Sequence, residues 1–546
     1  MSEHALVLII LLPLVTAGLL LIPAERYRAA KGWLNLASCV AGLLLAGALM
    51  LQAAQGHTQV YLAGNWAAPF GIVLVLDRLS ALMVMLVAVL ACAALLFAMA
   101  RWDRAGAHFH VLFQLQLMGL YGAFLTGDLF NLFVFFEVML AASYGLLLHG
   151  SGRTRVLSGL HYLAINLVAS SLFLVGAAMI YGVTGTLNLA DIALKVPDVA
   201  ASDRGLLHAG AAILAIAFLA KAGMWPLNAW LVPAYSAASA PVAALFAVLT
   251  KVGFYTVLRL WLLVFPGDAG VSAHFGQQWL LVGGLATLAC ATLGLFAARR
   301  LERIASLNIL VSAGTLLASL GLGSEALVAA ALFYLVSSTL ALGALFLLAE
   351  LVERSRSANE LPMEDDVDTL PGTLQALHPP PGVNLDDEQQ ALVGRVIPWT
   401  MAFLGMGLIF SALWVIGMPP LSGFLAKLNL ISAALGAQGS VPALASWVYI
   451  GLLVVAGIAS LAGLARVAIL RLWAPVERAS PAIRPLECGA LLVLFGLCLA
   501  LTLRGEALLR YTSATASALA TPAQYIGAVM ARQPLPNPQA NAQEAP

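Results

Sequence analysis

Four ionisable side chains stand in the middle of apolar runs, where a charge is expensive. Glu137 lies in Phe135-Phe136-Glu137-Val138-Met139, Lys221 in Leu219-Ala220-Lys221-Ala222-Gly223, Lys251 in Leu249-Thr250-Lys251-Val252-Gly253, and Lys427 in Gly423-Phe424-Leu425-Ala426-Lys427. A charge at the centre of a membrane helix costs about 2.5–3.5 kcal/mol on insertion scales, so each of these groups must face a partner or water. Burial strips hydration from a lysine's charged form and brings its proton within reach of exchange, and a nearby carboxylate opposes that effect. Glu137 is therefore expected to keep Lys221 protonated while the two are paired. Separating them would push the proton towards Lys251 through ordered water, with Lys427 as exit or second relay. The alternative is a set of static buried ion pairs, but three lysines share one mid-span glutamate.

The elements that must hold these groups follow from composition. Of 546 residues, 62% are hydrophobic and 10% charged, against about 25% charged in soluble domains. Apolar runs of spanning length follow one another with short polar joints. They fall near 5–22, 33–51, 72–99, 110–126, 130–148, 159–182, 207–233, 241–264, 277–298, 304–321, 326–350, 398–431, 446–471 and 486–504. This predicts an all-α membrane protein with about 14 transmembrane helices. The first run lacks a basic start and a cleavage site, so it is expected to be retained. Arg26, Arg28, Lys31, Arg101, Arg104, Arg153, Arg155, Arg299, Arg300, Arg303, Arg471, Arg478 and Arg484 occupy odd-numbered joints, whereas even-numbered joints hold Lys195 and Arg204. The positive-inside rule makes the odd joints cytoplasmic and puts both termini on the non-cytoplasmic side of a bacterial inner membrane.

Inside this pattern, Gly223-Met224-Trp225-Pro226-Leu227 is echoed by Gly417-Met418-Pro419-Pro420-Leu421. Proline removes a backbone donor and clashes with the preceding turn, so Pro226 and the Pro419–Pro420 pair should break the long seventh and twelfth spans. A broken helix is tolerated in lipid only where it is buried in protein or lines a wet cavity. Paired breaks five spans apart are the mark of an inverted repeat, here spans four to eight against nine to thirteen. The domains expected are three N-terminal helices in 1–109, a first repeat in 110–264, a second in 277–471, a C-terminal helix in 472–510 and a polar tail in 511–546. An acidic, proline-bearing linker at 351–397 interrupts the second repeat and cannot fold alone. Asp77 and Arg78 are expected to anchor the third span, and His161 and His208 to be satisfied interfacial histidines. His108 and His110 lack a third metal ligand, and the five scattered cysteines read as packing residues. No basic stripe suggests a nucleic-acid partner.

The runs Phe135-Phe136-Glu137, Lys221-Ala222-Gly223-Met224-Trp225-Pro226-Leu227 and Gly417-Met418-Pro419-Pro420-Leu421-Ser422-Gly423-Phe424 resemble the antiporter-like subunits of respiratory NADH:quinone oxidoreductase and of the Mrp-type multisubunit cation/proton antiporters. The likeness spans roughly the first 500 residues and is strongest to the D-type subunits of the Mrp system. The resemblance implies a fourteen-helix core, companion membrane subunits and a proton path in which Glu137 and Lys221 are the coupling pair, Lys251 the middle relay and Lys427 the second-half lysine. Family members often carry a histidine in the eleventh span where this chain has Ser337, and serine holds no proton charge at neutral pH. The Lys251–Lys427 link would then run through hydroxyls and water. Neither a cofactor nor a metal is implied, and the chain is expected to be a transporter subunit and not an enzyme. The competing readings are a proton-pumping subunit of an NADH:quinone oxidoreductase or membrane hydrogenase, a haem- or cluster-binding redox subunit, which the lack of cysteine motifs and of paired mid-span histidines disfavours, and a passive scaffold. The cation, K+ or Na+, is not written in the sequence.

Overall fold

A computed structural model describes residues 4–354, 399–437, 443–470 and 483–534. The helices are α1 Ala5–Leu21, α2 Arg28–Ala54, α3 Arg78–Ala100, α4 Phe109–Leu125, α5 Leu129–Leu148, α6 Arg153–Thr184 and the short α7 Leu189–Lys195. They continue with α8 Arg204–Ala222, α9 Leu231–Ala237, α10 Ala240–Phe246, α11 Leu249–Val264, α12 Gln277–Ala297, α13 Leu301–Gly321 and α14 Glu325–Glu353. The remainder are α15 Trp399–Ile416, α16 Ser422–Gly436, α17 Ala443–Ala468, α18 Pro485–Leu503, α19 Gly505–Ala520 and α20 Pro522–Met530. The linker expected at 351–397 lies outside the described residues from 355 onward; its first three residues close α14.

Among the described residues, twelve helices are long and apolar enough to cross a membrane, and α1, α4 and α16 are shorter apolar helices. The chain is a multi-span membrane protein. Its centre is built from α10, α11, α13 and α14. Every residue in the most apolar window of Ala240–Val264 and of Leu301–Gly321 is buried, against 28% in Pro485–Leu503. Helices starting at the Asp77 end are pinned by side-chain caps. Asp77 accepts from the Ser80 amide at 2.9 Å while Ser80 Oγ accepts from the Asp77 amide at 2.9 Å, and Asp128 accepts from the Asn131 amide at 2.9 Å. Each cap satisfies amide donors that the first turn leaves orphaned.

Three features depart from the sequence reading. The stretch read as the start of the third span is a strand: β2 Val73–Leu76 pairs antiparallel with β1 Gln59–Leu62, and the helix begins only after Asp77. Val73-Leu74-Val75-Leu76 is apolar enough for a helix start, but its β-branched residues suit a buried strand equally well. The eighth span is interrupted at Ala247-Val248, where the Val248 amide donates to Leu245 O and the Lys251 amide to Val248 O, three residues back instead of four. Neither glycine nor proline marks that tightening. Finally, the stretch read as a polar tail from 511 carries helices to Met530. Leu508, Thr512, Thr515, Ala516 and Leu519 recur at helical spacing, and α19 lays that stripe on α14, with Tyr511 Oη donating to Arg78 O at 2.9 Å. Of the cysteines, Cys39, Cys92 and Cys498 are buried as packing residues, whereas Cys290 is exposed.

Candidate functional site

The two breaks are built alike. Helix α8 ends at Gly223 with φ 77°, and α15 ends at Gly417 with φ 81°, the left-handed conformation that glycine adopts without a steric penalty. The Met224 amide then reaches back to Leu219 O at 2.9 Å, and the Met418 amide to Leu413 O at 3.0 Å. Pro226 lies in the turns that carry the chain from α8 to α9, and Pro419 and Pro420 in those from α15 to α16. The groups freed by each break are met by side chains. Thr287 Oγ1 accepts from the Trp225 amide at 2.8 Å and Trp230 Nε1 donates to Ala220 O at 3.1 Å. At the second break Thr502 Oγ1 accepts from the Ser422 amide at 2.9 Å, and Lys427 Nζ donates to Ile416 O at 2.6 Å.

Lys221 sits in the last turn of α8, where the helix dipole favours a cation. Its Nζ lies 5.2 Å from the centroid of the Phe136 ring, an attraction that strengthens out of water. Phe136 is held in turn by edge-on contacts with Phe173 and Phe218. Glu137 is half-buried on α5 and accepts a 2.5 Å hydrogen bond from Ser170 Oγ on α6. Glu137 and Lys221 make no ion pair within 4 Å among the described residues; Lys221 Nζ lies over the Phe136 ring and Glu137 is held by Ser170.

Lys251 is fully buried on α11, directly after the interrupted turn, and donates to Ser312 Oγ on α13 at 2.7 Å. Ser312 Oγ in turn lies 3.1 Å from Ser338 Oγ on α14. One residue earlier, Ser337 donates to Ser422 Oγ at 3.0 Å, at the start of α16. Ser337 therefore joins α14 to the second break, and Ser338 is the residue that faces the Lys251 side. Between these pairs a cavity of about 10 Å3, lined by Asn308, Tyr334, Ser337, Ser338, Trp414 and Gly423, has room for about one water. Among the described residues the buried Trp414 Nε1 has no hydrogen-bond partner, which gives such a water a donor. Hydroxyls thus line the interval from Lys251 to the second break.

A larger cavity of about 870 Å3 opens at the arginine-rich end, between Arg153, Arg155, Arg300 and Arg303, and runs inward to Ala243 and Leu310. Two buried hydroxyls without a partner among the described residues, on Tyr235 and Ser239, line its wall. Its inner end is close in sequence to Ser312 and Lys251.

A family model described as NADH:quinone oxidoreductase/Mrp antiporter, TM matches residues 126–379, which include both the Glu137–Lys221 and the Lys251 regions. Over 529 residues, 95% of this chain and 96% of the relative, the chain is 51% identical to a protein of Rhizobium meliloti named as the probable D-type subunit of a K+/H+ antiporter. The chain belongs to the D-type subunit family of the Mrp-type antiporters. Within that family it is 35% identical to the D-type subunit of the Na+/H+ antiporter of Alkalihalophilus pseudofirmus, over 79% of this chain and 81% of the relative. A chain from the structure of the Mrp complex of Dietzia sp. DQ12-45-1b superposes with a TM-score of 0.78 at 27% identity, covering 97% of this chain and all of the other.

Sequence reasoning passed over Ser170, Ser312, Ser338 and Arg259. The serines gave no signal, because hydroxyls are cheap in membrane helices and only the fold brings them to the charges. Arg259 gave one. It lies in Val257-Leu258-Arg259-Leu260-Trp261, as apolar a setting as that of the lysines. It is buried and grips Asp77 with both terminal nitrogens, Nη2 to Oδ1 at 2.7 Å and Nη1 to Oδ2.

Proposed function

We propose that this chain is the proton-conducting subunit of a multisubunit monovalent cation/proton antiporter, with Glu137, Lys221, Lys251 and Lys427 as the groups that hold and pass the proton. The observation that carries the reading is a set of three mid-span lysines, Lys221 and Lys251 buried and Lys427 half-buried, each beside an interrupted helix, in a chain 51% identical to a protein named as part of an antiporter. The names of the relatives bring K+ and Na+ into question, and the greater identity favours K+.

In this reading the Ser170 hydroxyl and Glu137 form the coupling end. Release of Glu137 from Ser170 lets the carboxylate turn towards Lys221 and steady its proton; return to Ser170 leaves Lys221 on the Phe136 face alone, and the proton moves towards Lys251. From Lys251 the Ser312 and Ser338 hydroxyls and one water reach the second break, where Lys427 takes over. The likeness of the two breaks supports two inverted five-helix repeats, spans four to eight (α4 to α11) against nine to thirteen (α12 to α17), in a bundle of fourteen spans. The arginine-rich joints support a cytoplasmic face at that end and both termini opposite, in the bacterial inner membrane. Companion subunits supply the remaining machinery, and a proton falling through 100 mV releases about 2.3 kcal/mol to drive the cation.

The test is cation-induced collapse of a respiration-generated pH gradient in everted vesicles carrying the complete complex. Lys251→Ala is expected to abolish the response to K+ or Na+ with assembly intact. A response of native size in the mutant would make Lys251 dispensable and return the chain to the scaffold reading.

A further inference from the structure

Lys251, Tyr255 and Arg259 follow one another at four-residue intervals on α11, so they share one helix face and together cover about 12 Å of its length. Tyr255 Oη donates to Phe124 O at 2.6 Å and lies 3.4 Å from Arg259 Nη2. The Arg259 guanidinium lies over two rings, 5.4 Å from the Tyr255 centroid and 5.2 Å from that of Tyr525 on α20. Beyond the Asp77–Arg259 pair opens a cavity of about 340 Å3 whose wall includes Arg78, His57, Ser517 and Tyr525. Helices α19 and α20 form its outer side. This cavity lies at the end opposite the arginine-rich joints, and it is separate from the serine line that leads to Lys427.

A buried ion pair is a poor device for stability alone, since apolar residues of similar size often do as well. A pair that closes the inner end of a polar cavity, one helical turn beyond a tyrosine and two beyond the central lysine, has a second use. We propose that Lys251, Tyr255 and the Asp77–Arg259 pair form a second proton branch, which connects the central lysine to the arginine-poor face through the cavity under α19 and α20. The branch rests on the reading that Lys251 carries protons. In the transfer, Lys251 gives a proton to the Tyr255 oxygen while the Tyr255 hydroxyl turns away from the Phe124 carbonyl and releases its own proton, which water beside the Asp77–Arg259 pair carries into the cavity. The tyrosine ends unchanged, Lys251 ends neutral, and hydronium carries the charge away. Arg259, fixed by Asp77, places a positive charge across the outlet and acts as a positioning residue that resists outward leakage. The C-terminal helices limit access to the cavity.

The complete complex, carrying Ser517→Cys in a chain whose native cysteines are serine, is treated with membrane-permeant methanethiosulfonates of increasing size, and each sample is its own reference before modification. The transport rate is expected to fall about fivefold with the bulkiest reagent and little with the methyl one, because a plugged outlet loses conduction with width. Tyr255→Phe, which keeps the ring and removes the hydroxyl, is expected to lower the rate about tenfold at unchanged assembly. A native rate either after the bulkiest modification or in Tyr255→Phe would overturn the branch. Lys251→Ala, run beside them, separates the two ideas: loss of transport there with an insensitive outlet sinks only the branch, whereas surviving transport there sinks the reading on which it rests.

Discussion

Lys251 and Lys427 are satisfied in different ways, and the difference bears on which can pass a proton onward. Lys427 donates to the Ile416 carbonyl, at the negative end of α15. A carbonyl accepts a hydrogen bond but has no proton to hand on, so this contact holds the ammonium in place. Lys251 donates to the Ser312 hydroxyl, which can accept on one side and donate on the other. Ser312→Ala is therefore expected to lower the antiport rate about tenfold, by breaking the relay that starts at Lys251. Ser312→Thr, which keeps the hydroxyl, should restore most of the rate. An alanine mutant at native rate in the vesicle assay would route the proton elsewhere. The lysines were legible from the sequence because a charge in an apolar run is costly and rare. Ser312 and Ser338 were not, since a serine there costs little and becomes informative only when a second helix presents its partner. Ser337 shows the limit from the other side: the resemblance pointed to it, yet the hydroxyl one residue later is the one that meets Ser312.

Helices bring these residues together by close approach as much as by breaking. Gly253, two residues after Lys251, faces the end of α8, and a Cβ there would stand 2.5 Å from the Ala222 amide nitrogen. The obstruction is backbone, so a larger residue must push α11 and α8 apart at the level of Lys221 and Lys251. Gly253→Ala is expected to cost about 1–3 kcal/mol by overpacking, seen as a lower melting temperature of the purified complex, and to depress transport even in the protein that assembles. Gly451→Ala on α17 is the control, because nothing lies within 4 Å of a Cβ there, and it should leave both readouts unchanged. Equal losses in the two variants would assign the effect to helix glycines in general and not to this contact. At this scale the glycine–proline echo announced both long-span breaks, because proline acts through its own backbone. The interruption at Ala247-Val248 carries no such residue. The β1–β2 hairpin was hidden for a related reason, since four apolar residues fit a strand and a helix start equally.

Across the whole molecule, the least buried long helix is held by charge at the arginine-rich end. Glu487 opens α18 with a fully buried side chain; it accepts from the Arg484 amide at 2.9 Å and from Arg354 Nη1 at 2.5 Å. Arg354 also pairs with Glu350, which accepts a hydrogen bond from Trp102 Nε1 at 2.6 Å, and Arg484 donates to Ala100 O at the end of α3. One latch thus ties α18 to α14 and to the segment after α3. The arginine pattern gave the expected facing of this end from the sequence alone, but the latch joins residues more than a hundred positions apart and follows no local rule. The C-terminal helices were missed likewise, because an alanine- and threonine-rich stripe is weakly apolar and gains its meaning from α14 beneath it. Removing one partner of a buried ion pair costs about 3–5 kcal/mol where the other is left without a counter-charge, and Arg354 keeps Glu350, so the loss at Glu487 falls below that range. Glu487→Ala is accordingly expected to lower the amount of assembled complex and its melting temperature by tryptophan fluorescence, while transport per assembled complex stays at the native rate, because the latch is separate from the Lys251 relay. Glu487→Gln, which retains the α18 cap and loses the charge, should fall between the two. A drop in transport per assembled complex matching that of Lys251→Ala would mean instead that the charges at this end take part in proton uptake through the cavity bounded by Arg155 and Glu350.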